Sequence, residues 1–200
     1  MSDKVSIITI LHGDTEFIPI IHHNYTHFLK TQELELVIVD DGRDNIMDHF
    51  VDLPNCLYLH LSEEEILDFM GKIVDGYKEP NKSPLQYQQK LKTLPNGFLR
   101  DYGCGLSTHP TLFHMNSDCL YHPKAIDRKC RFMKRVGAEC SYCDTMLCHN
   151  IYNKELYKTE SPYKIYEGTL CHTRDFWKRR GFQWSDIEME GKYFHYNNGN

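Results

Sequence analysis

Residues 4–42 read KVSIITILHGDTEFIPIIHHNYTHFLKTQELELVIVDDG, and this stretch decides the fold. It opens on a β-branched apolar run, Val5 to Leu11, stopped by His12-Gly13-Asp14, which is the pattern of a buried strand. Phe17, Ile21, Tyr25 and Phe28 then recur at helical spacing, with Pro19 in the first turn. Leu34 to Val39, interrupted only by Glu35, reads as a second buried strand, ending in Asp40-Asp41-Gly42. Strand, helix and strand at this spacing require a crossover connection, hence parallel pairing and an α/β sheet.

The pattern continues outward. Cys56 to Leu61 is a short strand. Ser62-Glu63-Glu64-Glu65 is a capping box that opens a helix with Ile66, Leu67, Met70, Ile73 and Val74 on its buried side. Gly76 to Pro84 reads as a loop, and Leu85 to Leu94 and Phe98 to Leu106 as helices. Leu112 to Met115 is a strand running into Asn116-Ser117-Asp118, and Pro123 starts a basic helix reaching about Val136. Cys140 to Asn150 and Lys164 to His172 read as strands, and Arg174 to Arg179 as a helix. Because some later strands have no helix between them, the sheet is expected to be mixed, mainly parallel and flanked by helices. One domain over 1–195 with a disordered tail over 196–200 accounts for the chain.

Composition bounds the function. The chain has 200 residues, 40% hydrophobic and 26% charged, which is enough for one sizeable core. A net charge of −5 speaks against a protein built around nucleic acid. No apolar run approaches the roughly 20 residues of a membrane helix, so no transmembrane segment is expected. Without a signal-peptide pattern, the eight cysteines read as free thiols and the location as cytoplasmic, the host cytoplasm if the source is viral.

In open α/β sheets ligands sit outside the carboxyl ends of the strands. Those ends carry His12-Gly13, Asp40-Asp41 and Asn116-Ser117-Asp118. A dinucleotide fold would need a glycine-rich first turn, whereas this one, Leu11 to Glu16, has one glycine and two acids. Phosphates would therefore be neutralised by a metal and an arginine. Asp118, after a buried strand, is placed to hold Mg²⁺ or Mn²⁺, or else serves as the cap of the following helix.

These residues resemble the GT-A glycosyltransferases of family 2. Val5 to Gly13 and Leu36 to Asp44 resemble that family's VSIIIPTYN and IIVVDDGSTD segments, and Arg100-Asp101-Tyr102-Gly103 its ARNxG segment. Phe113 to Pro123 resembles its FLDxDDxxxP metal motif. Glu167 to Phe182 resembles the strand and helix before the catalytic acid, and Ser185 to Phe194 the acidic motif itself. The matches keep the family's order across about residues 4 to 195. The resemblance implies a GT-A fold and transfer of a sugar from a UDP-, GDP- or dTDP-sugar to a glycan or other hydroxyl acceptor, with inversion. It implies that Leu11, His12, Asp40 and Asp41 hold the nucleoside, that Arg100 faces the diphosphate, and that Asn116, Ser117 and Asp118 complete the donor site. Asp118 would bind the divalent metal. Glu190 would be the general base, with Asp186 and Glu188 as alternatives. His195 would be a further metal ligand, since some GT-A enzymes use a late histidine; the alternative is a surface residue.

Two departures stand out. Asn116 replaces the first aspartate of the metal motif, and Glu190-Gly191 stands where many members have Glu-Asp. They leave open a degenerate domain that binds nucleotide or a partner without turnover; a nucleotidyltransferase on a related sheet is the other alternative. Cys140-x-x-Cys143 with Cys148, and His149 or Cys171-His172, has zinc-like spacing but falls in an apolar strand, where thiols are ordinary core residues. Trp184 and Tyr193 are suited to stack on an acceptor sugar or to pack in the core. The basic residues from Lys124 to Arg135 read as a solvated helix face. At this length the domain would act as part of a larger protein, as a homo-oligomer, or with a partner that supplies the acceptor site.

Overall fold

The computed structural model describes residues 3–76, 93–149, 153–160, 165–184, 191, 194, 195 and 198. The opening stretch folds as its pattern requires. β1 (Lys4–Leu11) leads through a short 3₁₀ turn into α1 (Ile18–Leu29), and β2 (Glu33–Asp40) returns parallel to β1 with Leu11 opposite Asp40. β3 (Cys56–His60) pairs parallel with β2, and α2 (Glu63–Gly76) follows. The capping box forms: the Ser62 N–H donates to Glu65 Oε2 at 2.9 Å, and the Glu65 N–H to Ser62 Oγ at 3.3 Å.

α3 (Asn96–Leu106) precedes β4 (Thr111–His114), which lies parallel to β1 on the side away from β2. α4 (Ala125–Val136) ends on Gly137, whose φ of 66° is the left-handed stop that glycine adopts freely. β5 (Cys140–Ser141) is followed by a hairpin of β6 (Thr145–His149) and β7 (Leu156–Glu160). β8 (Cys171–Thr173) then runs into α5 (Arg174–Lys178), capped by Thr173 Oγ1 accepting from the Phe176 N–H. The six-stranded sheet has the order β3-β2-β1-β4-β8-β5, with β8 antiparallel to both its neighbours, so it is mixed and mainly parallel as expected.

Alternation along the strands divides the core. Val5, Ile7 and Leu11 of β1 and Leu34, Leu36 and Ile38 of β2 face the layer containing α1 and α4. Val37 and Val39 face α2 and α3. A third cluster joins Ile8 and Leu112 to Phe176, Phe182 and Phe194. Among the described residues, no helix is long and apolar enough to cross a membrane.

Three expectations change. Leu67 is 62% exposed, because the buried face of α2 runs through Met70 and Ile73 and a residue adjoining Ile66 is turned about 100° away. The strand expected over Cys140 to Asn150 splits, its first part joining the main sheet and its second pairing with β7, a strand not expected from the sequence. The strand expected over Lys164 to His172 narrows to β8, because residues Glu167–Thr169 form a 3₁₀ turn. Asn198 is fully buried, donates to the carbonyls of Phe194 and Gly181, and accepts from the Arg180 N–H, while the rest of 196–200 lies outside the described residues. Residues 85–92 of the expected helix lie outside the described residues.

Candidate active site

At the carboxyl ends of β1 and β2 the backbones of two loops touch. A Cβ on Gly42 would fall 2.4 Å from Gly13 Cα, so only glycine fits. Gly13 itself has φ +80°. Asp40 locks this contact from beneath. Its Oδ1 accepts from the Gly13 and Gly42 N–H groups at 3.0 and 2.9 Å, and its Oδ2 from the Tyr58 hydroxyl at 2.7 Å. Asp40 is fully buried, so its carboxylate shapes the loops rather than presenting itself to a ligand.

Asp41 and His12 form the next layer. Asp41 Oδ1 lies 2.6 Å from His12 Nδ1, and its Oδ2 accepts from the Leu94 N–H at 2.6 Å. His12 Nε2 lies 3.1 Å from Asn96 Oδ1. Burial opposes the imidazolium, but the Asp41 hydrogen bond and charge outweigh it and raise the His12 pKa. With an acceptor oxygen at each ring nitrogen, the doubly protonated ring is satisfied on both sides. Leu11 is a core residue whose carbonyl accepts from the Asp41 N–H at 3.2 Å.

Asn96 and Arg100 stand one turn apart on α3, so this helix joins two groups of site residues. Arg100 is 3% exposed. Its Nη2 donates to Asn116 Oδ1 at 3.1 Å, and its Nη1 lies 3.5 Å from His114 Nδ1. Asn116 is fixed from its other side by Tyr121, whose hydroxyl accepts from the Asn116 N–H at 2.9 Å and donates to the Gly168 carbonyl at 2.6 Å. A Cβ on Gly168 would lie 2.6 Å from both Asn116 Cγ and the Tyr121 hydroxyl. Asp118 is exposed, with Oδ1 accepting from the Cys119 thiol at 3.2 Å. A cavity of about 260 Å³ opens beside it, lined by Asn116, Tyr121, Gly168 and Thr169 and, from the hairpin, Thr145 and Met146.

The structure thus brings Leu11, His12, Asp40 and Asp41 into one group and Arg100 and Asn116 into its neighbour, with Ser117 and Asp118 on the turn that follows. Glu190, Asp186, Glu188 and Tyr193 lie outside the described residues. His195 packs edge-on to the Tyr142 ring at 5.1 Å and near Phe176, and burial lowers its pKa. Among the described residues, Asp118 and His195 belong to no group of three or more potential ligands, and neither do Cys140, Cys143 and Cys148. Trp184 donates to Asp101 Oδ2 at 2.9 Å and sets its edge against Phe98. The group of this kind that does form is Cys104, His114 and His172, all fully buried. The sequence reading did not assemble it, although a histidine inside an apolar strand was the available signal at both His114 and His172.

Neither a protein-family model nor a curated protein sequence matches the chain. Solved structures do. Residues 1–349 of the Staphylococcus aureus glycosyltransferase TarS superpose with a TM-score of 0.61 at 12% identity, covering 98% of this chain and 55% of that one. The same TarS fragment in complex with UDP-GlcNAc gives a TM-score of 0.59, and with UDP 0.61, each at 12% identity over 96% of this chain and 53% of that one. The chain therefore spans about half the length of the TarS fragment it resembles. The chain shares the GT-A-like mixed α/β fold of that fragment.

Proposed function

We propose that this domain transfers a sugar from a nucleoside diphosphate donor to a hydroxyl acceptor, with UDP as the first donor nucleotide to test. The observation that carries the reading is the placement of Arg100, Asn116 and Asp118 at the carboxyl ends of β1 and β4, in a fold shared with structures that contain UDP and UDP-GlcNAc. His12 would face the nucleoside, on loops shaped by Asp40 and held by Asp41, whose buried carboxylate is occupied by His12 and the Leu94 N–H. Arg100 would hold the diphosphate as negative charge builds on the leaving group.

Asn116, Ser117 and Asp118 offer only oxygen donors beyond the strand, and such a set suits a hard cation. The Asn116 amide oxygen is engaged by Arg100, so Asp118 is the residue that would hold Mn²⁺ or Mg²⁺ together with donor phosphates. When bound, such an ion supplies charge neutralisation at the diphosphate.

Glu190 would take the proton from the acceptor hydroxyl, with Asp186 as the alternative base. The acceptor oxygen then bonds to the anomeric carbon as the carbon–oxygen bond to the diphosphate breaks. One displacement of this kind inverts the configuration. The cavity of about 260 Å³ beside Asn116 has the size and mixed polarity for a single sugar ring.

A second reading follows from Asn116. Its bond to Arg100 stands where the resembled family has an acid, which favours a domain that binds nucleotide without turnover. Incubation with UDP-sugars and Mn²⁺ separates the two: released UDP supports transfer chemistry, and tight UDP binding without release supports the second reading. Absence of binding by UDP, GDP, dTDP and CDP alike would remove both.

A further inference from the structure

Arg100 is held from behind by groups that the donor-site reading does not use. Its Nη1 lies 3.5 Å from His114 Nδ1, the longest link of a chain that continues inward. His114 Nε2 lies 3.0 Å from His172 Nε2, and His172 Nδ1 lies 2.9 Å from the Thr173 carbonyl oxygen. Both imidazoles are fully buried, on neighbouring strands β4 and β8 where Leu112 pairs with His172, and their rings stack at 5.2 Å.

Only one proton assignment satisfies the chain. The Thr173 carbonyl can only accept, so His172 carries its proton on Nδ1 and turns a lone pair at Nε2 toward His114. His114 must then donate from Nε2, which leaves its Nδ1 as an acceptor facing the Arg100 guanidinium. Arginine can only donate, so the end of the chain matches the side chain it meets.

We propose that His114 and His172 are positioning residues: they form a directional hydrogen-bond relay, anchored on the Thr173 carbonyl, that fixes the orientation of Arg100. This rests on the reading of Arg100 as the diphosphate-facing group. The guanidinium is oriented by two acceptors from one turn of chain, His114 Nδ1 on Nη1 and Asn116 Oδ1 on Nη2. A planar fork fixed at two of its nitrogens can meet an anion without first losing rotamer freedom.

The surroundings favour uncharged rings. Burial lowers the His114 pKa well below its ordinary value, with His172 and Arg100 adding to the effect, and burial brings His172 down to about 4. Among the described residues, the charged and titratable groups around the pair are Arg100 and Cys104 on α3 and Arg174 on α5, with Phe176, Phe182 and Phe194 packed against the rings. Cys104 Sγ lies 3.9 Å from His114 Nε2, so the three side chains could be taken for a metal site. The spacing argues otherwise. Two nitrogens held tetrahedrally by zinc at about 2.05 Å would lie about 3.3 Å apart. Here they are 3.0 Å apart, a hydrogen-bond separation, and a dication would sit beside Arg100.

Long-range ¹H–¹⁵N NMR of the wild-type chain tests the relay directly. It should show His172 protonated on Nδ1 and His114 on Nε2, unchanged between about pH 5.5 and about pH 8.5. Reversed tautomers, a doubly protonated ring at pH 7, or stoichiometric zinc by elemental analysis would overturn the proposal. UDP titrations with Mn²⁺ test its consequence. His172→Leu should weaken UDP binding about tenfold, and His114→Gln, which keeps an acceptor for Arg100, should retain more affinity than His114→Leu. Cys104→Ala removes buried volume beside His114 but leaves the His114–His172 and His114–Arg100 links in place, and should leave UDP affinity near wild type. Equal losses in all of these variants would mean packing rather than positioning. Arg100→Ala separates the two claims: if it leaves UDP binding intact, the donor-site reading fails while the tautomers still judge the relay.

Discussion

Replacing Gly42 with alanine should separate the two loops that carry His12 and Asp41. The added Cβ would lie 2.4 Å from Gly13 Cα, 2.5 Å from the Gly13 nitrogen and 2.9 Å from Asp40 Oδ1. Ordinary contact needs about 3.5 Å, so the loops must part by about 1 Å, against backbone rather than a flexible side-chain end. That movement stretches the two backbone hydrogen bonds to Asp40 Oδ1, now 3.0 and 2.9 Å. Each bond to a buried carboxylate contributes about 1.5–3 kcal/mol, so losing both costs about 3–6 kcal/mol, a large part of the stability of an ordinary domain. At this size it corresponds to a fall in Tm of about 10 °C. Gly71 in α2 and Gly105 in α3 provide the control, since a Cβ there meets nothing within 4 Å. Alanine at either should be neutral or stabilising by up to about 1 kcal/mol. Urea unfolding of the three variants measures the contrast. If Gly42→Ala unfolds with the same midpoint as Gly71→Ala, the account of the loop contact is wrong.

Other predictions follow from the same geometry. Gly168→Ala pushes on Asn116 and Tyr121 and should weaken nucleotide binding measured by calorimetry, by about tenfold if Arg100 loses its Asn116 partner. Asp118→Ala should abolish any gain in UDP affinity on adding Mn²⁺; an unchanged gain would remove Asp118 as the metal ligand. Glu190→Gln should keep donor binding and stop transfer in a product assay, whereas full activity would move the base to Asp186 or elsewhere. Stability should also depend on pH in two windows. His12 has a raised folded pKa, so its contribution is complete below the unfolded value near 6.5 and is lost as pH rises through the folded value; His12→Gln should flatten that slope. His172 has a folded pKa of about 4, so acidification from about 6.5 towards 4 charges the unfolded ring first and should destabilise by about 3 kcal/mol; His172→Leu removes this contribution and leaves that of His114, whose pKa is lowered too.

The sheet was legible because its determinants are local. Val5 to Leu11 and Leu34 to Val39 have the density of β-branched residues that a strand buried on both faces needs, and Ser62 with Glu65 forms its cap within one turn. The later strands were harder to read because tertiary pairing decides them. Cys140 to His149 reads as one strand in the sequence, but it divides where the chain leaves the main sheet, and β7 is polar enough to pass for a loop. The site followed the same division. Asp40, Asp41 and Asn116 could be found from their places at strand ends. The role of Asp40 could not, because its partners Gly13, Gly42 and Tyr58 come from separate parts of the chain. His114 and His172 are 58 residues apart and meet only across the β4–β8 pairing. Asp101 likewise shows its function only in three dimensions, accepting from Trp177, Phe182 and Trp184 to pin the chain after α5.

Thermal unfolding of the wild-type chain with UDP, GDP, dTDP and CDP, each with Mn²⁺ and again with EDTA, tests the donor-site claim most directly. A ligand at about 100 times its Kd adds about 2.7 kcal/mol, which at this size is a rise of about 5–10 °C. The account predicts such a rise with one nucleotide, diminished by EDTA and absent in Arg100→Ala. No shift with any of the four, in a chain that unfolds cooperatively, would contradict it.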